Sequence, residues 1–123
     1  MGTQTEHIDW AERNERFAES LDRSDPSGAA WAITAVFYAA LHYVDAYFVS
    51  HSLGRPANHS QRDSRIGDSA DLGAVYPMYR RLKDMSQQAR YELARYTEID
   101  YLKALKLLEQ VRSHSVLYRK PGA

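Results

Sequence analysis

Cysteine is absent from this 123-residue chain. That excludes a disulfide framework and a thiolate metal site, and it fits a reducing, cytoplasmic home. An excess of one charge is also missing, since sixteen basic residues balance sixteen acids. A protein that coats DNA would carry a basic surplus. There is no alternating apolar and polar run and no Asn-Gly hairpin signal, so a sheet has no support. Residues 1–10 lack the basic-then-apolar order of a signal peptide. No phosphate loop, Ser-His-Asp set or dinucleotide fingerprint is present, and no cofactor is called for.

What remains is helical. The length suits one domain, 1–123, with residues 1–7 and 118–123 expected as loose ends. Ile8 to Arg23 reads as a first helix, with Trp10, Asn14, Phe17 and Leu21 at helical spacing on its inner face. Asp25-Pro26 supplies a cap and a first-turn proline for a second helix reaching about His51. Trp31, Ile33, Val36, Phe37, Leu41, Val44 and Phe48 make that helix apolar nearly all round. The run from Ala29 to Val49 is long enough to raise a membrane span. However, Thr34, His42 and Asp45 interrupt it and no Lys or Arg anchors either end, so a covered helix at a bundle centre or subunit interface is expected.

Gly54-Arg55-Pro56 should end the second helix, and Asn58 should cap a short third one over His59 to Ile66, closed by Gly67-Asp68-Ser69. Pro77 either kinks a fourth helix or starts it, after which Tyr79, Leu82, Met85, Ala89 and Leu93 share a side. Thr97-x-x-Asp100 resembles a capping box opening a fifth helix to about Leu117, with Ile99, Leu102, Leu105, Leu108 and Val111 inward. The fold class expected is all-α, an up-and-down bundle of four to five helices.

Charge is balanced overall but unevenly placed. Residues 1–25 hold seven acids and three arginines, whereas residues 51–95 hold eight bases and five acids. Twelve of the sixteen bases are arginine, whose planar fork suits phosphate or carboxylate. His59 and Arg62 leave one face of the third helix, and Arg55 sits just ahead across the turn. This set suits metal-free RNA cleavage: a neutral imidazole takes the 2′-hydroxyl proton, and guanidinium groups hold the charge growing on phosphorus. The plainer alternative has Asn58 and His59 capping the helix and Arg62 paired with Asp63 or a nearby Glu.

His42 and Asp45 lie one turn apart inside the apolar helix, where an aspartate needs a partner. His42 or Arg90 would serve, as a core polar pair or a subunit contact. A metal site would have to gather His51, His59 and Asp63, and their spacing is not that of a zinc site. The nine tyrosines suit either a base-stacking platform or, more simply, the edge of a core.

Three segments together carry a resemblance: Phe37-Tyr-Ala-Ala-Leu-His42, Gly54-Arg-Pro-x-x-His59 and Leu82-x-x-x-Ser-x-x-Ala-Arg-Tyr91. In them the chain resembles the HEPN superfamily, over roughly residues 8 to 115. The resemblance implies a helical bundle that commonly forms a homodimer. It also implies either a metal-independent endoribonuclease of toxin–antitoxin and antiviral defence systems, or a non-catalytic companion of a nucleotidyltransferase. RNA or a nucleotide would be the ligand, and a membrane has no part. Nuclease members usually carry Arg-x(4–6)-His, whereas Arg55 and His59 are separated by three residues. Ser86 stands where relatives have arginine, and Arg90 where they have an acid. His59, with Arg62 and Arg55, occupies the place of a variant site, and two copies would bring His59 and Arg62 to one cleft.

Overall fold

A computed structural model describes residues 2–91 and 95–120. These residues form five α-helices and no strand. The helices are α1 (Gln4–Ser20), α2 (Pro26–Ser50), α3 (His59–Asp68), α4 (Tyr76–Tyr91) and α5 (Glu98–Leu117), with a short 3-10 turn at Gly73–Val75 before α4. The chain is thus an all-α bundle. Its central rod is α2, which packs against α1, α4 and α5, while α3 lies against α4.

Asp25 opens α2 by accepting from the Ser27 N–H at 3.1 Å, with Pro26 in the first turn. Phe37, Phe48, Ile33 and Val44 on this helix are fully enclosed. Each such side chain contributes about 1.5–3 kcal/mol by leaving water. By length and composition α2 passes as a membrane span, but its most apolar window is 83% buried among the other helices. The approach from α1 is tight: a Cβ on Gly28 would lie 1.9 Å from the Asp22 carbonyl oxygen. Only glycine lets the 21–25 connection fold over the start of α2.

The N-terminal expectation needs correcting. Helix α1 starts at Gln4 rather than Ile8, because Thr3 and Glu6 form a capping box with mutual bonds of 3.0 and 3.1 Å. Gln4 and His7 are buried, so residues 2–7 are not a loose end. The inner face is Gln4, His7, Ala11 and Ala18, while Trp10 and Phe17 stand 51% and 53% exposed. The physical reason is backbone approach: Ala11 and Ala18 meet the alanine-rich flank of α2, and two bulky rings there would hold the helices apart.

In α5 only the first half of the expected face differs. Its enclosed face is Tyr101, Ala104, Leu108, Val111 and Ser115, whereas Ile99 and Leu102 are exposed. Leu108 and Val111 are inward as expected. The Thr97 N–H donates to the Asp100 carboxylate at 2.9 Å, as the capping pattern implied. In α4, Tyr79, Leu82 and Met85 are buried and Pro77 lies in the first turn, where it starts the helix without kinking it. Leu93 lies outside the described residues. The C-terminal stretch is tied down as far as Lys120, whose N–H donates to Ser50 Oγ and whose carbonyl accepts from Gln4 Nε2, both at 3.0 Å.

Candidate functional site

The site begins where α2 stops. The C-cap is His51, and Ser52 then takes a left-handed φ of +59°. The Ser52 and Leu53 N–H groups both turn back to α2, donating to Val49 and Phe48 carbonyls at 3.0 Å. This is a Schellman closure with serine where glycine is usual. Gly54, at φ +70°, turns the chain again toward Arg55 and Pro56. Asn58 caps α3 by accepting from the Gln61 N–H at 2.8 Å. These turns set the start of α3 beside the middle of α2.

At the floor is Asp45, completely buried. Its partner is Arg62, also buried, which reaches it as a fork: Nε to Oδ1 at 2.8 Å and Nη2 to Oδ2 at 3.0 Å. Neither of the expected partners, His42 and Arg90, takes that place, and Arg62 does not pair with Asp63. Lys83 holds Asp63 instead, at 2.6 Å. Arg55 approaches the same carboxylate more loosely, with Nε at 3.8 Å and its side chain half exposed.

His59 sits at the rim, its ring 6.2 Å from that of Phe37 and its Nδ1 3.4 Å from Arg62 Nη1. Arginine can only donate, so Nδ1 presents its lone pair inward and the proton sits on Nε2. Partial loss of water, then the Arg62 and Lys83 charges, lower the His59 pKa below its ordinary 6.5 and keep the ring neutral. On the α1 side His42 meets His7, Nδ1 to Nδ1 at 3.1 Å, so one imidazole donates and the other accepts. Burial, then His7, pushes the His42 pKa down to about 4.

Tyr38, His42, Arg55, Asn58, His59 and Arg62 line a cavity of about 350 Å³. Arg55, His59 and Arg62 therefore converge, with His42 beside them. Arg90 stands one step away, donating to the Tyr38 hydroxyl at 3.1 Å. Sequence reasoning missed His7, and it singled out Tyr38 only as one of nine tyrosines. The Thr3 capping box was the one available signal for His7, since it extends α1 far enough to bring that ring opposite His42. His51 goes to the Tyr118 carbonyl at 2.8 Å, away from His59. Among the described residues, no three His, Cys, Asp or Glu side chains gather as metal ligands.

Of the wider grooves elsewhere, the two largest mix their charges. One of about 610 Å³ between α4 and α5 sets Arg81, Lys103 and Lys106 beside Asp84 and Asp100. The other, about 820 Å³, sets Glu12, Glu15 and Glu19 among Arg16, Arg112 and Arg119. Neither converges on one chemistry. The smaller cavity does, for no acid lines it, Asp45 being buried behind Arg62, and its histidines are held neutral. One guanidinium charge, that of Arg55, is left facing it. Set against known proteins, the chain matches no family model, no curated protein and no solved structure.

Proposed function

We propose that this chain is a HEPN-like helical module of a bacterial defence or toxin–antitoxin system. In this reading it holds the phosphate of an RNA or nucleotide in the cavity between Arg55 and His59. The observation that carries it is the uneven treatment of two arginines. Arg62 is spent on buried Asp45, so Arg55, loosely paired with the same carboxylate, leaves one net positive charge at the mouth of a polar cavity. A neutral His59 offering its Nε2–H adds a donor suited to a phosphate oxygen. Homodimer formation belongs to the same reading, supported by Phe17 on α1 and Trp31 on α2, both more than half exposed.

The test is binding of a fluorescent single-stranded RNA at two salt concentrations. Arg55→Ala should weaken binding about ten-fold and flatten the salt dependence by about one phosphate contact. Equal affinity and equal salt slope in wild type and variant would overturn the reading.

Metal-independent cleavage is the second reading, favoured by the neutral His59, since a base must be unprotonated to act. Acting through Nε2 would require the other tautomer, and hence release of Nδ1 from Arg62. Cutting of RNA in EDTA, lost in His59→Ala at an unchanged melting temperature, is the expected result if cleavage occurs. RNA left intact at high protein concentration removes cleavage and leaves binding standing. The exposed Ile99, Leu102 and Leu117 on α5 favour a companion protein of the nucleotidyltransferase type in addition. A stoichiometric complex by light scattering checks that point.

A further inference from the structure

Two tryptophans stand out from the bundle, and their surroundings differ. Trp31 shares a hollow with Ser27, Ala30, Thr34, Ala89, Arg90 and Tyr91, outside the cavity that Arg55 and His59 line. Trp10 is different. One side of its indole lies against His42, with ring centroids 6.4 Å apart and planes 26° from parallel. The Arg13 guanidinium lies over the indole, its carbon 5.1 Å from the ring centroid, and Asp9 pairs with that arginine at 3.0 Å. Asn14 closes the next turn, its amide donating to the Trp10 carbonyl at 2.9 Å. A half-exposed ring with a charged and polar rim is poorly suited to an apolar helix. It is well suited to a planar, polar-edged ring.

Position supplies the second half of the argument. His42 is shared: one neighbour is the Trp10 indole, and the other is the cavity that holds Arg55 and His59. An aromatic surface is therefore linked through His42 to a cavity with one net positive charge, the two features needed by a ligand that joins a π-ring to a phosphate. We propose that Trp10 is a base-stacking platform. A nucleotide whose phosphate lies at Arg55 and His59 sets its base on the indole where the exposed Arg13 guanidinium lies in the free protein, and that side chain swings aside. The assignment rests on the phosphate reading above. Stacking of this kind tolerates any base and requires an unpaired one, so the ligand is a single-stranded segment or a free nucleotide.

The full chain carries two tryptophans, so Trp31→Phe leaves Trp10 as the only indole reporter. In that background hexa-adenylate RNA should quench the emission. Tripolyphosphate should compete with the RNA without quenching. Trp10→Ala should weaken hexa-adenylate about ten-fold and leave tripolyphosphate binding unchanged. Trp10→Tyr should restore most of the RNA affinity, separating stacking from a change in packing against His42. Arg55→Ala should weaken both probes.

Wild-type affinity for hexa-adenylate in Trp10→Ala, with both probes weakened in Arg55→Ala, overturns the platform and leaves the phosphate site intact. Failure of wild-type protein to bind either probe, or undiminished binding of both in Arg55→Ala and His59→Ala, overturns the phosphate site and the platform with it. A mononucleotide that quenches as strongly as the hexamer identifies one stacked base as sufficient, in support of the platform.

Discussion

The inner and outer halves of the cavity are built from the same residue types under different solvation. Inside, Arg62 and Asp45 are both buried and joined by two short bonds, and His42 and His7 share a single proton position between them. Outside, Arg55 keeps half its side chain in water at 3.8 Å from the same carboxylate, and His59 has an exposed ring. A buried ion pair contributes little net stability, yet losing one partner strands a charge without water. A loosely held surface charge contributes little either way. The inner arginine is thus committed to the fold and the outer one is available to a ligand.

The largest expected effect breaks the inner half. Asp45→Asn should cost about 3–5 kcal/mol in urea denaturation, because Arg62 stays buried without its counter-charge. Arg55→Ala should stay within about 0.5 kcal/mol of wild type in the same assay. Replacing both Asp45 and Arg62 by leucine should recover most of the loss, which a double-mutant cycle measures. Equal losses for Asp45→Asn and Arg55→Ala would erase the distinction between the two halves.

Next comes acid. His42 has its folded pKa pushed to about 4 from an ordinary 6.5, chiefly by burial, and His7 is lowered in the same direction. The unfolded chain therefore takes up protons first as pH falls. Stability should be intact above about pH 6.5 and drop by on the order of 2 kcal/mol between there and pH 4. Urea midpoints at pH 7, 6 and 5 measure the slope. His42→Gln should flatten it, and an unchanged slope would place the sensitivity elsewhere.

The smallest effect concerns the turn that carries the outer half. Ser52→Gly relieves a left-handed serine and should raise stability by about 0.5–1 kcal/mol. A fall in melting temperature would show that the Ser52 side chain matters more than its φ.

How legible all this was depends on the kind of signal. Asp25-Pro26, Asn58 and Thr97-x-x-Asp100 mark helix starts through local hydrogen bonds, and each is observed. Faces were harder to read. Helix α1 offers two stripes one residue apart, one with the large rings Trp10 and Phe17 and one with Ala11 and Ala18, while α5 has apolar residues over most of its surface. Periodicity cannot rank them, since the decision lies in how closely α2 can approach. The cluster of Arg55, His59 and Arg62 was legible because a tight turn and one helical turn bring them together. The Arg62–Asp45 fork was not, since it spans seventeen residues and depends on the packing of α3. The nearer acid, Asp63, goes to Lys83 across α4.

The clasp between Gln4 and the Lys120 carbonyl joins residues 116 positions apart. A contact that closes so long a loop has no local structure to help it form, so it should close late in folding and open early under stress. It sits at the corner where the start of α1 and the Tyr118–Lys120 stretch meet the end of α2. A donor and acceptor dye placed at that corner would act as an early-warning gauge, reporting fraying of the two outer helices while the central rod is still enclosed.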